Sequence, residues 1–123
     1  MLRSGEAGIM LLEILVALAV LGTAGVAFVS ALGTVSKATA IADERALAES
    51  LVRSQLEYVE SYAYQAVPIT YPADPALTIP AGWTITSTAA LVHVTDDGMQ
   101  KVTVQVTHLG KAVLSVVTYK VNR

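Results

Sequence analysis

The chain has 123 residues, 54% of them hydrophobic, no cysteine, and a formal charge of −2 from 8 Lys+Arg against 10 Asp+Glu. That length allows one small domain plus one further segment. With no cysteine, no basic block or tail, and no CxxC, HExxH or glycine-rich phosphate loop, a disulfide scaffold, a nucleic-acid grip and the commoner metal and nucleotide sites find no support.

Residues 1–8, MLRSGEAG, are short and polar. Residues 9–36 are an apolar run, and from Ile14 to Ser36 no side chain is charged. About 20 such residues suffice to cross a bilayer core as a helix. Glu13 is the only charge between Glu6 and Lys37. A lone acid inside a membrane run costs about 2.5–3.5 kcal/mol on insertion scales, so its presence asks for a reason.

The stretch 37–64 reads as an amphipathic helix. Ala48, Val52, Leu56, Val59 and Ala63 fall on one face, which Leu47 and Leu51 widen. Arg45, Glu49, Arg53 and Glu57 alternate in sign four residues apart, a solvated ladder that favours helix modestly. No proline precedes Pro68, so the apolar and amphipathic runs are expected to form one continuous helix.

Pro68, Pro72, Pro75 and Pro80 mark residues 65–82 as a loop. The pattern then turns to β. Trp83–Thr88, Ala90–Thr95, Met99–Leu109 and Lys111–Val121 read as strands, with turns at Asp96-Asp97-Gly98 and Gly110-Lys111. Val102, Val104 and Val106 alternate with Lys101, Thr103 and Gln105, the pattern of an antiparallel sheet with one buried face. The amphipathic half of the helix is the one segment long enough to cover that face. The expected fold class is therefore α+β: a long N-terminal helix, its first half apolar enough for a membrane, and an antiparallel sheet of three or four strands packed on its second half.

Residues 8–22, GIMLLEILVALAVLG, resemble the N-terminal signal shared by type IV pilins and type II secretion pseudopilins. In that family a short polar leader ends in glycine, an apolar residue follows, and a glutamate stands fifth from the new N-terminus. Here Met1–Gly8 would be the leader, Ile9 the first mature residue, Glu13 the fifth and Gly22 the fourteenth. The close match covers about 20 residues; the helix, loop and sheet extend it as a pilin-like architecture. Four departures separate the chain from ordinary major pilins. The leader has one basic residue, Arg3, offset by Glu6. Met10 and Leu11 replace the usual pair after the first residue. The membrane run lacks a proline, and there are no paired cysteines.

The resemblance implies a structural protein and not an enzyme. A prepilin peptidase would cut between Gly8 and Ile9 and N-methylate Ile9. The chain would sit in the cytoplasmic membrane as a single-pass protein, its N-terminus cytoplasmic and its C-terminal domain outside. An assembly platform would then move it from lipid into a filament with other pilin or pseudopilin subunits. In the filament Glu13 would pair with the α-amino group of a neighbour's Ile9. Leu12, Leu15 and Val16 would pack helix on helix, with Gly22 on the same segment. Breaking one partner of such a buried pair costs about 3–5 kcal/mol, so the charge would favour assembly over staying in lipid.

The membrane run is too long for a cleaved secretory signal and passes unbroken into the amphipathic helix. Two other readings stay open: a minor pilin of a type IV pilus or DNA-uptake system, and an anchored binding module that never polymerises. A DNA-binding tip would need a basic patch from Lys101, Lys111, Lys120 and Arg123. His93 and His108 are expected on strands in structural roles, His93 facing out and His108 closing the end of the valine face. Asp96 and Asp97 offer few of the six to eight oxygens calcium takes, so no cofactor is expected. Tyr58, Tyr62, Tyr64 and Tyr71 are expected to seal the helix–sheet junction.

Overall fold

A computed structural model describes residues 4–66 and 69–123. Five elements follow in order: helix α1 (Ser4–Ser61) and strands β1 (Ile69–Tyr71), β2 (Trp83–Leu91), β3 (Met99–His108) and β4 (Lys111–Val121). The sheet order is β1-β2-β3-β4 with every neighbouring pair antiparallel, a simple meander. Met1, Leu2 and Arg3 of the expected leader, and Val67 and Pro68 of the loop, lie outside the described residues. The chain forms two compact units, one ending at Ile41 and the other spanning Ala42–Arg123.

In the second unit, residues 42–61 of α1 lie on one face of the sheet. Ala48, Leu51, Val52 and Val59 meet Tyr71, Ile85, Ala89, Val102, Val104 and Val106, all buried. Fully burying a Val or Leu side chain is worth about 1.5–3 kcal/mol, so this interleaved layer supplies the main driving force. The β3 valines, each fully buried, alternate with exposed or half-exposed neighbours as their spacing predicts. Leu47 and Leu56 flank the core.

The structure corrects several boundaries. The expected strands at 83–88 and 90–95 are one strand that stops at Leu91, whose partner Gln100 lies one residue from the start of β3. Val92–Thr95 therefore lie in a loop, and Val94 is 97% exposed. The proline-rich stretch contains β1, whose Ile69, Thr70 and Tyr71 pair with Ala89, Thr88 and Ser87. A three-residue edge strand suits a segment bounded by prolines, which cannot donate to a ladder. The β3–β4 turn is Leu109-Gly110, both with positive φ (49° and 79°), as a two-residue hairpin of primed type requires.

Helix α1 ends at Ser61, three residues before the expected Tyr64, so Ala63 is exposed rather than on the buried face. The stop has a chemical cause. The Lys120 ammonium donates to the carbonyls of Val59 (2.7 Å) and Glu60 (3.0 Å), and Ser61 Oγ donates to Tyr58 O (2.8 Å). The Val59 and Glu60 carbonyls, which a continuing helix would have engaged, are thereby satisfied from outside it.

Candidate membrane and assembly segment

The residues singled out by the N-terminal pattern all lie on α1. In the first unit Ile9, Leu12, Leu15 and Val16 are 67%, 61%, 57% and 55% exposed. Their exposure continues through Leu32 and Val35, and none of residues 9–36 is buried. One helix thus contains a segment long and apolar enough to cross a membrane. Three threonine hydroxyls in and just beyond this run turn back onto its backbone: Thr23 to Val20 O (2.9 Å), Thr34 to Ser30 O (3.1 Å) and Thr39 to Val35 O (3.0 Å). Polar groups satisfied within the helix are what a lipid setting demands.

Ile9, Leu12, Glu13 and Val16, at i, i+3, i+4 and i+7, share one helical face. Leu15 and Gly22, seven apart, lie together on the adjoining face. Glu13 is exposed, with no hydrogen-bond or ion-pair partner among the described residues. Nothing approaches within 4 Å of a Cβ built on Gly8 or Gly22, so neither glycine is required by packing inside the chain. The Gly8–Ile9 peptide lies within α1, which begins at Ser4. A peptidase acting there would first have to unwind that first stretch, and Gly5 and Gly8 each lower the cost of doing so.

The second unit places the remaining candidates. Tyr62 bridges Tyr58 (ring centroids 5.5 Å) and Tyr71 (5.8 Å, edge to face), and Tyr71 is buried. These three seal the helix–sheet junction. Tyr64 instead reaches the 92–98 loop, donating to Asp96 Oδ1 at 2.6 Å. That bond to a carboxylate pushes the Tyr64 pKa up to about 12. Asp96 Oδ1 also accepts from Gly98 N (3.1 Å), and Asp97 Oδ1 from Met99 N (3.3 Å). His93, expected on a strand, sits exposed in this loop with Nδ1 2.7 Å from Asp97 Oδ2. The His93 hydrogen bond holds the Asp97 carboxyl below its usual range. The carboxylates of Asp96 and Asp97 thus serve the turn. Among the described residues no group of three His, Cys, Asp or Glu side chains is placed to hold a metal ion.

His108 closes the end of the valine face, as its position predicts. Its ring stacks on Trp83 (4.4 Å, 13°) and its Nδ1 lies 2.6 Å from Glu44 Oε1.

The basic residues are divided between the two ends of the hairpin, with Lys120 and Arg123 lining one cavity beside Glu60. Lys120 is buried against the end of α1, 5.9 Å from the Tyr71 ring centre, and that burial lowers its pKa. Lys101 pairs with Tyr119 near one end of the β3–β4 hairpin, whereas Lys111 pairs with His108 at the other.

Two residues escaped the sequence reading. Gln55 sits in the centre of the buried helix face. Its Nε2 donates to Pro72 O (2.9 Å) and Ser87 Oγ (3.0 Å), and its Oε1 accepts from Asp74 N (2.9 Å). The one clue was a polar residue within an otherwise apolar stripe. Gln100 is fully buried, donates to Tyr71 OH, and keeps an unpartnered Oε1.

Against known proteins, the chain matches no family model, no curated protein and no solved structure.

Proposed function

We propose that the protein is a structural subunit of a type IV pilus-like filament, of the pseudopilin kind that serves type II secretion. It is made as a precursor, cut after Gly8, methylated on Ile9 and assembled through its N-terminal helix. The observation that carries this reading is Glu13: an exposed carboxylate, unpartnered among the described residues, in an otherwise uncharged helical run, five residues after Gly8. In lipid that charge is penalised; beside the new α-amino group of a neighbouring Ile9 it would be paired. The same reading accounts for apolar side chains exposed on every side of residues 9–36, which exchange lipid contacts for subunit contacts. It assigns the chain to the cytoplasmic membrane before assembly, with residues 42–123 outside the cytoplasm. Its partners are the prepilin peptidase, the assembly platform and other subunits.

A DNA-uptake pilin is the weaker alternative, because Lys120 is turned inward and Lys101 and Lys111 lie at opposite ends of the hairpin. The test is the intact mass and N-terminal sequence of the protein from membranes that contain an active prepilin peptidase. A chain beginning at Ile9 and carrying one added methyl is expected. A chain still beginning at Met1 would overturn the reading in favour of a non-polymerising anchored module.

A further inference from the structure

The aspartates are Asp43, Asp74, Asp96 and Asp97, the asparagine is Asn122, and of these only Asp97 is followed by glycine. The peptide nitrogen after an aspartate stands one five-membered ring away from that residue's own Cγ. Its attack there closes a succinimide. A side chain on the following residue crowds the attack, and glycine has none. The dipeptide Asp97-Gly98 is therefore the one place in this sequence where that chemistry is sterically easy.

The fold presents the pair to water. Residues 92–97 are all exposed, and Gly98 turns the chain toward β3 with φ = 85°. Its amide stands before the ladder of β3 and donates to Asp96 Oδ1 at 3.1 Å, while its carbonyl accepts from Asn122 N at 2.7 Å. The Asp97 carboxylate is engaged through both oxygens. Oδ1 accepts from Met99 N (3.3 Å), and Oδ2 lies 2.7 Å from His93 Nδ1. Contacts of this kind favour the ionised carboxylate, and the His93 hydrogen bond holds this carboxyl below its usual range. The ionised form closes the ring slowly, because its leaving oxygen must first be protonated to depart as water.

We propose that Asp97-Gly98 is a site of spontaneous backbone modification, the isomerisation of aspartate to isoaspartate, and that the contacts from His93 and Met99 N slow it in the folded chain. In the first step the Gly98 nitrogen gives up its proton, toward Asp96 Oδ1 and on to solvent, and its electron pair forms the bond to Asp97 Cγ. One carboxyl oxygen of Asp97, protonated from solvent, leaves as water. A second water then opens the ring. Attack at Cγ restores aspartate. Attack at the α-carbonyl leaves the chain running through Cγ, with the α-carboxylate free. One water leaves and one enters, and nothing is oxidised or reduced. The isoaspartate lengthens the backbone by one carbon immediately before Met99, the first residue of β3. It also moves the carboxylate that His93 and Met99 N now hold, so the turn that starts β3 is loosened.

The test uses the full chain in detergent micelles, aged at neutral pH and sampled over weeks. Isoaspartate is counted by methyl transfer from an isoaspartyl methyltransferase. It is placed in the chain by electron-transfer fragmentation of the digested protein, because the isomerisation leaves the mass unchanged. Isoaspartate should appear at position 97 ahead of positions 43, 74, 96 and 122. The chain unfolded in guanidinium should form it severalfold faster than the folded chain. His93→Ala, a change at an exposed position, should speed the folded chain severalfold toward the unfolded rate. Asp97→Ser keeps an oxygen to accept from Met99 N but has no Cγ to attack, and should abolish the signal at position 97. Isoaspartate arising first at another position, or at none in the unfolded chain, would overturn the site. Equal rates in the folded, His93→Ala and unfolded chains would overturn the protection by His93 and Met99 N. Each result is independent of whether Gly8–Ile9 is cut.

Discussion

The helical run 9–36 and the unit 42–123 each set a charged group against apolar surroundings, and they treat it in opposite ways. Lys120 is buried, yet two carbonyls at 2.7 and 3.0 Å receive its protons, and the Tyr71 ring lies near it. Glu13 is exposed and unpartnered among the described residues. The apolar groups divide the same way: Val102, Val104 and Val106 are fully buried, while Ile9, Leu12 and Leu15 are more than half exposed. One region satisfies its chemistry within the chain. The other presents chemistry that only a bilayer or another molecule can satisfy, and there the functional reading lies.

Substitutions in the two regions should therefore have separable effects. The largest is expected at Glu13. On the proposed filament reading, Glu13→Ala should abolish entry into filaments, scored by sedimentation and electron microscopy, because breaking one partner of a buried pair costs about 3–5 kcal/mol. Denaturant unfolding of the 42–123 unit should stay within about 0.5 kcal/mol of the parent. Normal incorporation of Glu13→Ala would break the comparison at its main point. Gln55→Leu should do the reverse: it removes three hydrogen bonds that tie the helix to the loop and β2. It should cost about 3 kcal/mol in unfolding and leave cleavage after Gly8 unchanged.

Lys120→Met leaves the carbonyls of Val59 and Glu60 without their donor and should cost about 2 kcal/mol, read in the same unfolding experiment. Leu109→Asn is expected to stabilise by about 1 kcal/mol, since Leu109 holds φ = 49° in a turn that favours asparagine before glycine. The smallest effect is spectroscopic. In an ultraviolet titration one tyrosine should ionise near 12, and Asp96→Asn should return it toward 10. Because the folded-state pKa is raised, the Tyr64 contribution is fully present below pH 10 and is lost as pH rises through about 12. Asp97 has the opposite sign. Its pKa is lowered by His93, so its contribution holds above the ordinary 3.8 and fades as pH falls through the folded value.

The valine alternation at 102–106 and the helical spacing of Ala48, Val52 and Val59 are local periodicities, so the α+β class and the buried faces were legible in the chain. So was the membrane-length run, which depends on composition alone. Elements whose existence depends on a partner were not legible. Strand β1 forms because Ala89, Thr88 and Ser87 of β2 stand opposite it, and β2 stops beside the start of β3. Helix α1 ends where Lys120, about sixty residues later, takes its carbonyls.

The sequence by itself determined which segments are apolar, that a helical pattern is followed by a strand pattern, and that one carboxylate interrupts the membrane-length run. Each is a property of neighbouring residues and needs no fold to express it. Only the tertiary structure decided that Gln55 locks the helix to the loop, that Lys120 is a cap rather than part of a basic surface, and that β4 is left as an open edge. Those depend on which distant groups meet, because a buried polar atom takes its partner from whatever the fold brings within hydrogen-bonding distance.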